Sequence, residues 1–340
     1  HRHLRAAERK RLRAWDVQES PHTVSFLKAS DGWELALSSY SDPARVRRRH
    51  PVLLCHGLGA NRLSFDIDSA HSPVRFLVEM GFDVFAIELR GAGLSARPGR
   101  DRPYARWGFA EYSEFDLPAA IAAVLTKSRA ERLHFIGHSM GGILLYAHAA
   151  ITDESTVRSG VTIGSSLDYS KSGSAFRYLA PLSTLSHLIP EVPIHWPALM
   201  SAKAARGGNR AFVDSLLVNP DNVELDVYCK MAATAMHPVG SRVLRDLAAA
   251  IDGSGMKDSR GRRYVDLLSE RGYRFPILAL AGTSDRQCPP AAAKRFGTGF
   301  AAFGKKHGQR ADYGHDDLLM GPHAIDEVWP TVETWLADND

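Results

Sequence analysis

The order of segments in this sequence predicts an α/β fold, with a mostly parallel sheet, helices on both faces and a long, mainly helical insertion. Three observations carry that expectation. Short runs of apolar and branched residues alternate with stretches of helical length, and parallel strands need such crossovers. Two compact turns, Gly137-His138-Ser139-Met140-Gly141 and Ala281-Gly282-Thr283-Ser284-Asp285, each follow a buried-strand pattern. The strand rhythm then stops between Leu167 and Arg274, a stretch of about 100 residues, too long for a simple loop.

The 340 residues suffice for one large domain carrying an insertion. A basic arm, residues 1–20, comes first. It sets Arg2, Arg5, Arg9, Lys10, Arg11 and Arg13 against Glu8, with Leu4, Ala7, Leu12 and Trp15 along one helical side. The apolar side predicts docking. The basic side reads as a solvated face, or as a patch for an anionic membrane surface or a partner chain. Thr23 to Leu37 forms a hairpin around Asp31-Gly32, adding an antiparallel edge. Pro51 to Cys55 is a buried strand ending at His56-Gly57, Val74 to Met80 a helix, and Asp83 to Leu89 the next strand. Phe115 to Thr126 is a helix with Pro118 in its first turn, where a missing N–H costs little. Leu133 to Gly137 and Val157 to Gly164 are strands flanking a helix from Met140 to Ala150. Phe275 to Ala281 and Gly308 to Tyr313 are the last strands, and Ala324 to Leu336 closes the chain as a helix. Residues 21–166 and 275–340 thus form the core domain, and 167–274 a helical cap. The early cap is rich in apolar residues (Phe176, Leu179, Leu182, Leu185, Leu188, Trp196, Met200), which either pack the cap or line an apolar channel.

Apolar residues make up 44% and charged residues 24%, the balance of a globular protein. No apolar run approaches the roughly 20 residues of a membrane span. A net charge of +4 comes with no aromatic-basic ribbon or phosphate loop, which argues against nucleic acid as a partner. Three cysteines, Cys55, Cys229 and Cys288, make no disulfide framework. They read as packing residues and favour a reducing, cytoplasmic setting. Oligomeric state is not legible.

Ser139 is the candidate nucleophile. Gly137-His138-Ser139-Met140-Gly141 is G-x-S-x-G between a buried strand and an apolar helix, the arrangement of a nucleophile elbow. A serine hydroxyl needs an adjacent base, and the base an orienting acid. His315, in Gly314-His315-Asp316-Asp317, is the candidate base; His323 is its nearest rival, His307 lies in a basic loop, and His195 and His237 belong to the cap. Asp285 is the candidate acid, with Asp168 as its rival. Asp116 reads as a helix-entry residue, and Asp316 and Asp317 as tuners of charge. Acyl transfer also needs two N–H groups facing the developing oxyanion. Met140 supplies one and the loop His56-Gly57-Leu58-Gly59 the other, through Leu58, with His56 bracing the loop.

With these four motifs in this order, the chain resembles the α/β-hydrolase superfamily from Val24 to Leu336, and within it the lipase and esterase branch. The resemblance implies an eight-stranded sheet, a cap after the sixth strand, and carboxylic ester hydrolysis without a metal or organic cofactor. Polyhydroxyalkanoate synthases are similar in outline but carry cysteine where this chain has Ser139; dehalogenases and epoxide hydrolases of the fold carry aspartate there. The expected substrate is a small apolar ester, lipid or lactone. An acyltransferase with the same triad and a non-catalytic binding protein remain open.

Overall fold

The computed structural model describes residues 2–97, 107–153, 156–178, 189–206 and 214–340. The strands are β1 Thr23–Lys28, β2 Glu34–Tyr40, β3 Val52–Cys55, β4 Val84–Glu88, β5 Leu133–His138, β6 Val157–Ile163, β7 Glu191–Val192, β8 Val239–Gly240, β9 Ile277–Gly282 and β10 Gly299–Phe303. Eight of them build one sheet in the order β1-β2-β4-β3-β5-β6-β9-β10, and β7 pairs with β8 apart from it. β2 is antiparallel to β1 and to β4, and from β4 to β10 every neighbour is parallel. The hairpin edge and the parallel body both match expectation.

The inner strands β3, β4, β5 and β9 are buried at every position. Helices therefore cover both faces, and these strands read as apolar runs rather than alternations. Successive residues still point to opposite faces. Leu53 and Cys55 join one core with Phe135, Leu144, Leu145 and Tyr264. Val52 and Leu54 join another with Ile136, Leu77, Trp329 and Val332. The first face carries the helices Leu117–Ser128, Met140–Ile151 and Tyr264–Arg271, and the second carries Pro73–Glu79 and Trp329–Asp338.

Between β6 and β9 the described residues add no strand to the main sheet; they form helices His195–Arg206, Leu225–Thr234, Ser241–Asp252 and Tyr264–Arg271. Leu179, Leu182, Leu185 and Leu188 lie outside the described residues. The basic arm is a helix, Arg2–Ala14. Leu12 is buried against Leu63, Ile67 and Ala198, with Trp15 packed alongside, whereas Ala7 is exposed rather than part of the docked side. Glu8 of the arm accepts from the buried Arg62 at 2.7 Å, and Arg62 also bonds Glu19 and Glu88. None of the described helices is long and apolar enough to cross a membrane.

Two expected elements differ. Gly308 to Tyr313 is not a strand; the last strand is β10, whose residues pair with Leu278 to Gly282 of β9. β10 takes the edge position, and the later segment is left free to carry His315 across the sheet end. The closing helix is broken into Ala324–Glu327 and Trp329–Asp338, because Pro330 has no N–H to continue the first turn ladder.

Candidate active site

Parallel strands end together here. Cys55 of β3 pairs with Gly137 of β5, His138 of β5 with Ile163 of β6, and Ile163 with Leu280 of β9. The loops after them therefore leave one edge of the sheet, where ligands of open parallel sheets bind.

Ser139 turns the chain from β5 into the Met140–Ile151 helix. Its φ of +53° and ψ of −119° form a conformation that an L-residue holds only when its surroundings enforce it. Its N–H donates to Ile163 O at 2.8 Å, and its carbonyl accepts from Gly142 N, Ile143 N and Ser165 Oγ. The flanking glycines make this turn possible. A Cβ on Gly137 would stand 2.3 Å from the Gly141 carbonyl carbon, and one on Gly141 would stand 2.2 Å from Cys55 O. The end of β5, the first helical turn and the end of β3 thus meet backbone to backbone. Ser139 is half-buried at the helix N-terminus, whose N–H groups favour negative charge.

Asp285 and His315 meet in the neighbouring loops. Asp285 Oδ1 accepts the N–H groups of Gln287 and Cys288, both at 2.8 Å. Its Oδ2 lies 2.8 Å from His315 Nδ1, and the two side chains are 0% and 3% exposed. A carboxylate only accepts, so Nδ1 carries the proton and Nε2 is the basic nitrogen. Nε2 is buried and has no hydrogen-bond partner among the described residues. The ring packs on His138, with centroids 4.7 Å apart, and a Cβ on Gly164 would come within 2.9 Å of it. Burial alone would lower the His315 pKa, but the charge and hydrogen bond of Asp285, with Asp316 and Asp317, raise it above its ordinary value.

The loop after β3 closes the other side. A Cβ on Gly57 would lie 3.0 Å from Ser139 Cβ, so Gly57 and Leu58 run beside Ser139. His56 Nδ1 donates to Gly57 O at 2.8 Å and Nε2 accepts from Leu89 N at 3.1 Å. The ring ties this loop to the end of β4, and burial lowers its pKa to about 4, keeping it neutral. Met140 opens the helix on the far side of Ser139.

The rival residues are occupied elsewhere. Asp168 pairs with Arg295 at 2.9 Å and accepts from Ser170 N. His323 faces Arg310 Nη1 at 2.9 Å, and His307 is exposed. His237 is buried, with Nε2 accepting from Asn61 Nδ2 and Gly93 N; it braces the Gly59 loop, since its own backbone N–H donates to Gly59 O. Asp116 stands at the entry of the Leu117–Ser128 helix, as read from the sequence, but makes no side-chain cap there. It instead accepts from Arg90 Nε at 2.9 Å, Nη2 at 2.6 Å and the Arg90 N–H at 3.0 Å. A buried guanidinium requires a paired anion more than a helix end requires a cap.

The elbow motif includes His138, but the motif alone gives this residue no role. Its Nε2 lies 3.2 Å from His315 O, so it donates to the backbone of the candidate base. The signal was a polar side chain at the end of a fully buried strand. Asp317, read as a tuner of charge, accepts from Gly314 N at 2.8 Å; only its place in the Gly314-His315-Asp316-Asp317 run hinted at that.

A family model for the alpha/beta hydrolase fold matches residues 50–185. Human lysosomal acid lipase/cholesteryl ester hydrolase is 33% identical over 134 residues, covering 36% of this chain and 33% of that protein. Human lipase member K is 29% identical over 109 residues, covering 31% and 27%. The chain thus spans about a third or less of the length of these curated relatives. Among solved structures, an esterase from Exiguobacterium antarcticum superposes with a TM-score of 0.60 at 16% identity, covering 93% of this chain and 100% of that one. The enol-lactonase from Burkholderia xenovorans LB400 gives a TM-score of 0.59 at 15% identity, covering 92% and 100%. At that identity the likeness is one of fold.

Proposed function

From an α/β-hydrolase fold, we propose that this chain hydrolyses carboxylic esters with Ser139 as nucleophile, His315 as base and Asp285 as the acid that orients it. The observation that carries the reading is the buried His315–Asp285 pair, at 2.8 Å, whose Nε2 has no partner among the described residues, at the sheet end where Ser139 is held at positive φ.

Ser139 Oγ adds to the ester carbonyl carbon as its proton passes to His315 Nε2. The backbone N–H groups of Leu58 and Met140 take the oxyanion. The carbon–oxygen bond to the alcohol breaks, the alcohol leaves with the proton from Nε2, and an acyl-serine remains. Water then adds to the acyl carbon, giving its proton to Nε2; the bond from that carbon to Ser139 Oγ breaks, Oγ takes the proton back from Nε2, and the acid leaves. Asp285 keeps Nδ1 protonated and balances the imidazolium at each stage.

The substrate class is an apolar ester, lipid or lactone. Trp196 and Met200 support it: they lie one turn apart on the His195–Arg206 helix and are 65% and 61% exposed. That helix starts next to Ile194, whose side chain lies against Gly59 of the β3 loop. The lipase relatives point the same way. The test is a panel of p-nitrophenyl esters and lactones of graded chain length with the parent and Ser139→Ala. The parent turns over the longer apolar esters with the lower KM and Ser139→Ala turns over none; a fully active Ser139→Ala would end the proposal.

A further inference from the structure

Residues 215–222, which belong to the stretch between β6 and β9, lie across both loops that carry the proposed acid and base. On the acid side, Arg286 Nη1 donates to Ser215 Oγ at 2.8 Å and Gln287 Nε2 to Leu216 O at 2.7 Å. On the base side, Asp316 N donates to Leu217 O at 2.8 Å, and Asn219 Nδ2 to Asp312 O at 2.6 Å. The buried Asp317 collects three donors. Its Oδ1 accepts from Asn219 N at 3.1 Å, and its Oδ2 from Asn222 Nδ2 and Gly314 N, each at 2.8 Å.

The fit is close enough to dictate residue type. A Cβ on Gly314 would stand 2.3 Å from Asn219 N and 2.7 Å from the Val218 carbonyl carbon, so the residue before His315 must be glycine for this segment to pass. Val218 and Asn222 are each 2% exposed and Asp317 is fully buried. A buried carboxylate with this set of donors is rigid, since each donor lost leaves a lone pair without a partner. His315 sits between two of the groups so fixed, Gly314 and Asp317.

We infer that Asn222, acting through Asp317, is a positioning residue for His315, and that segment 215–222 holds the acid loop and the base loop in one register. This inference rests on the Ser139–His315–Asp285 reading. Asn222 Nδ2 bonds Asp317 rather than a triad side chain. Its effect on the reaction is the placement of Nε2, and displacements of about an ångström at a reacting group cost up to about a hundredfold in rate.

The experiment compares Asn222→Ala, Gln287→Ala and Ser139→Ala with the parent, reading kcat and KM for a short p-nitrophenyl ester and the low-field Nδ1 proton of His315 by NMR. Asn222→Ala should lose about tenfold or more in kcat with KM within about twofold, and the Nδ1 resonance should shift or broaden. Should Asn222→Ala fail to fold, Gln287→Ala decides by the same split: it frees Leu216 O but keeps the Gln287 N–H on Asp285. Parental kcat in the folded variants overturns the inference, as does a rise in KM at unchanged kcat, which would make the segment a substrate contact. An inactive Ser139→Ala beside a fully active Asn222→Ala sinks the positioning role alone, whereas an active Ser139→Ala sinks the hydrolase reading beneath it.

Discussion

Asp285→Asn changes one atom, and the hydrogen-bond geometry dictates the response of His315. Oδ1 accepts two backbone N–H groups, from Gln287 and Cys288, so the asparagine must keep its carbonyl oxygen on that side. Its NH2 then faces His315 Nδ1 across the 2.8 Å now spanned by Oδ2. Two donors cannot share that space. The imidazole relieves the conflict by moving its proton to Nε2, which removes the lone pair that would take the proton of Ser139. In serine–histidine–acid enzymes the wrong tautomer costs about 10⁴ in kcat, or about 5.5 kcal/mol at about 1.36 kcal/mol per decade. The assay is the initial rate of p-nitrophenyl butyrate hydrolysis, with circular dichroism and the thermal midpoint as controls for folding. A folded Asp285→Asn within about tenfold of the parent would refute the assignment of Asp285 and the tautomer argument with it.

Other consequences are as direct. His315 must be neutral to act, and its pKa is raised by Asp285, Asp316 and Asp317 against burial, so kcat/KM should climb with pH through a midpoint above the ordinary histidine value of about 6.5; Asp316→Asn removes one raising charge and should move that limb to lower pH, and a limb that stays or rises would contradict the electrostatics. Gly141→Ala places a Cβ 2.2 Å from Cys55 O, an overlap expected to cost about 1–3 kcal/mol and to lower the thermal midpoint together with activity. Arg90→Met leaves Asp116 buried without its partner and should lose about 3–5 kcal/mol in urea unfolding; the double change with Asp116→Leu should recover part of it, and no recovery would speak against the pairing as the cause. Cys55, Cys229 and Cys288 are all buried and form no disulfide among the described residues, so a thiol reagent should label them only after denaturation.

What the sequence disclosed depended on how local the cause was. The elbow at Ser139 is set by five consecutive residues, because the collision of Gly137 with Gly141 is a contact within one turn. The inner strands were legible because burial on both faces leaves an unbroken apolar run. β10 was missed because an edge strand beside β9 has only one partner, and Gly299, Ala301 and Ala302 give little apolar signal. The pairing of Asp116 with Arg90 joins residues brought together by the sheet, and nothing near Asp116 in sequence announces it. Asn219 and Asn222 are further from view, since their partners are distant in the chain and the segment has no pattern of its own. Asp285 and Asp168 each follow a strand and both lie between Ser139 and His315 in the chain, so order does not separate them; the structure adds that Asp168 is engaged by Arg295.

The mechanism stands on Ser139 being a nucleophile that His315 activates. Reaction with a fluorophosphonate followed by peptide mass spectrometry reads both halves of that statement at once. One adduct is expected, on Ser139, absent in Ser139→Ala and formed far more slowly in a folded His315→Ala. An adduct on another residue, or labelling of Ser139 at the parental rate without His315, would contradict it.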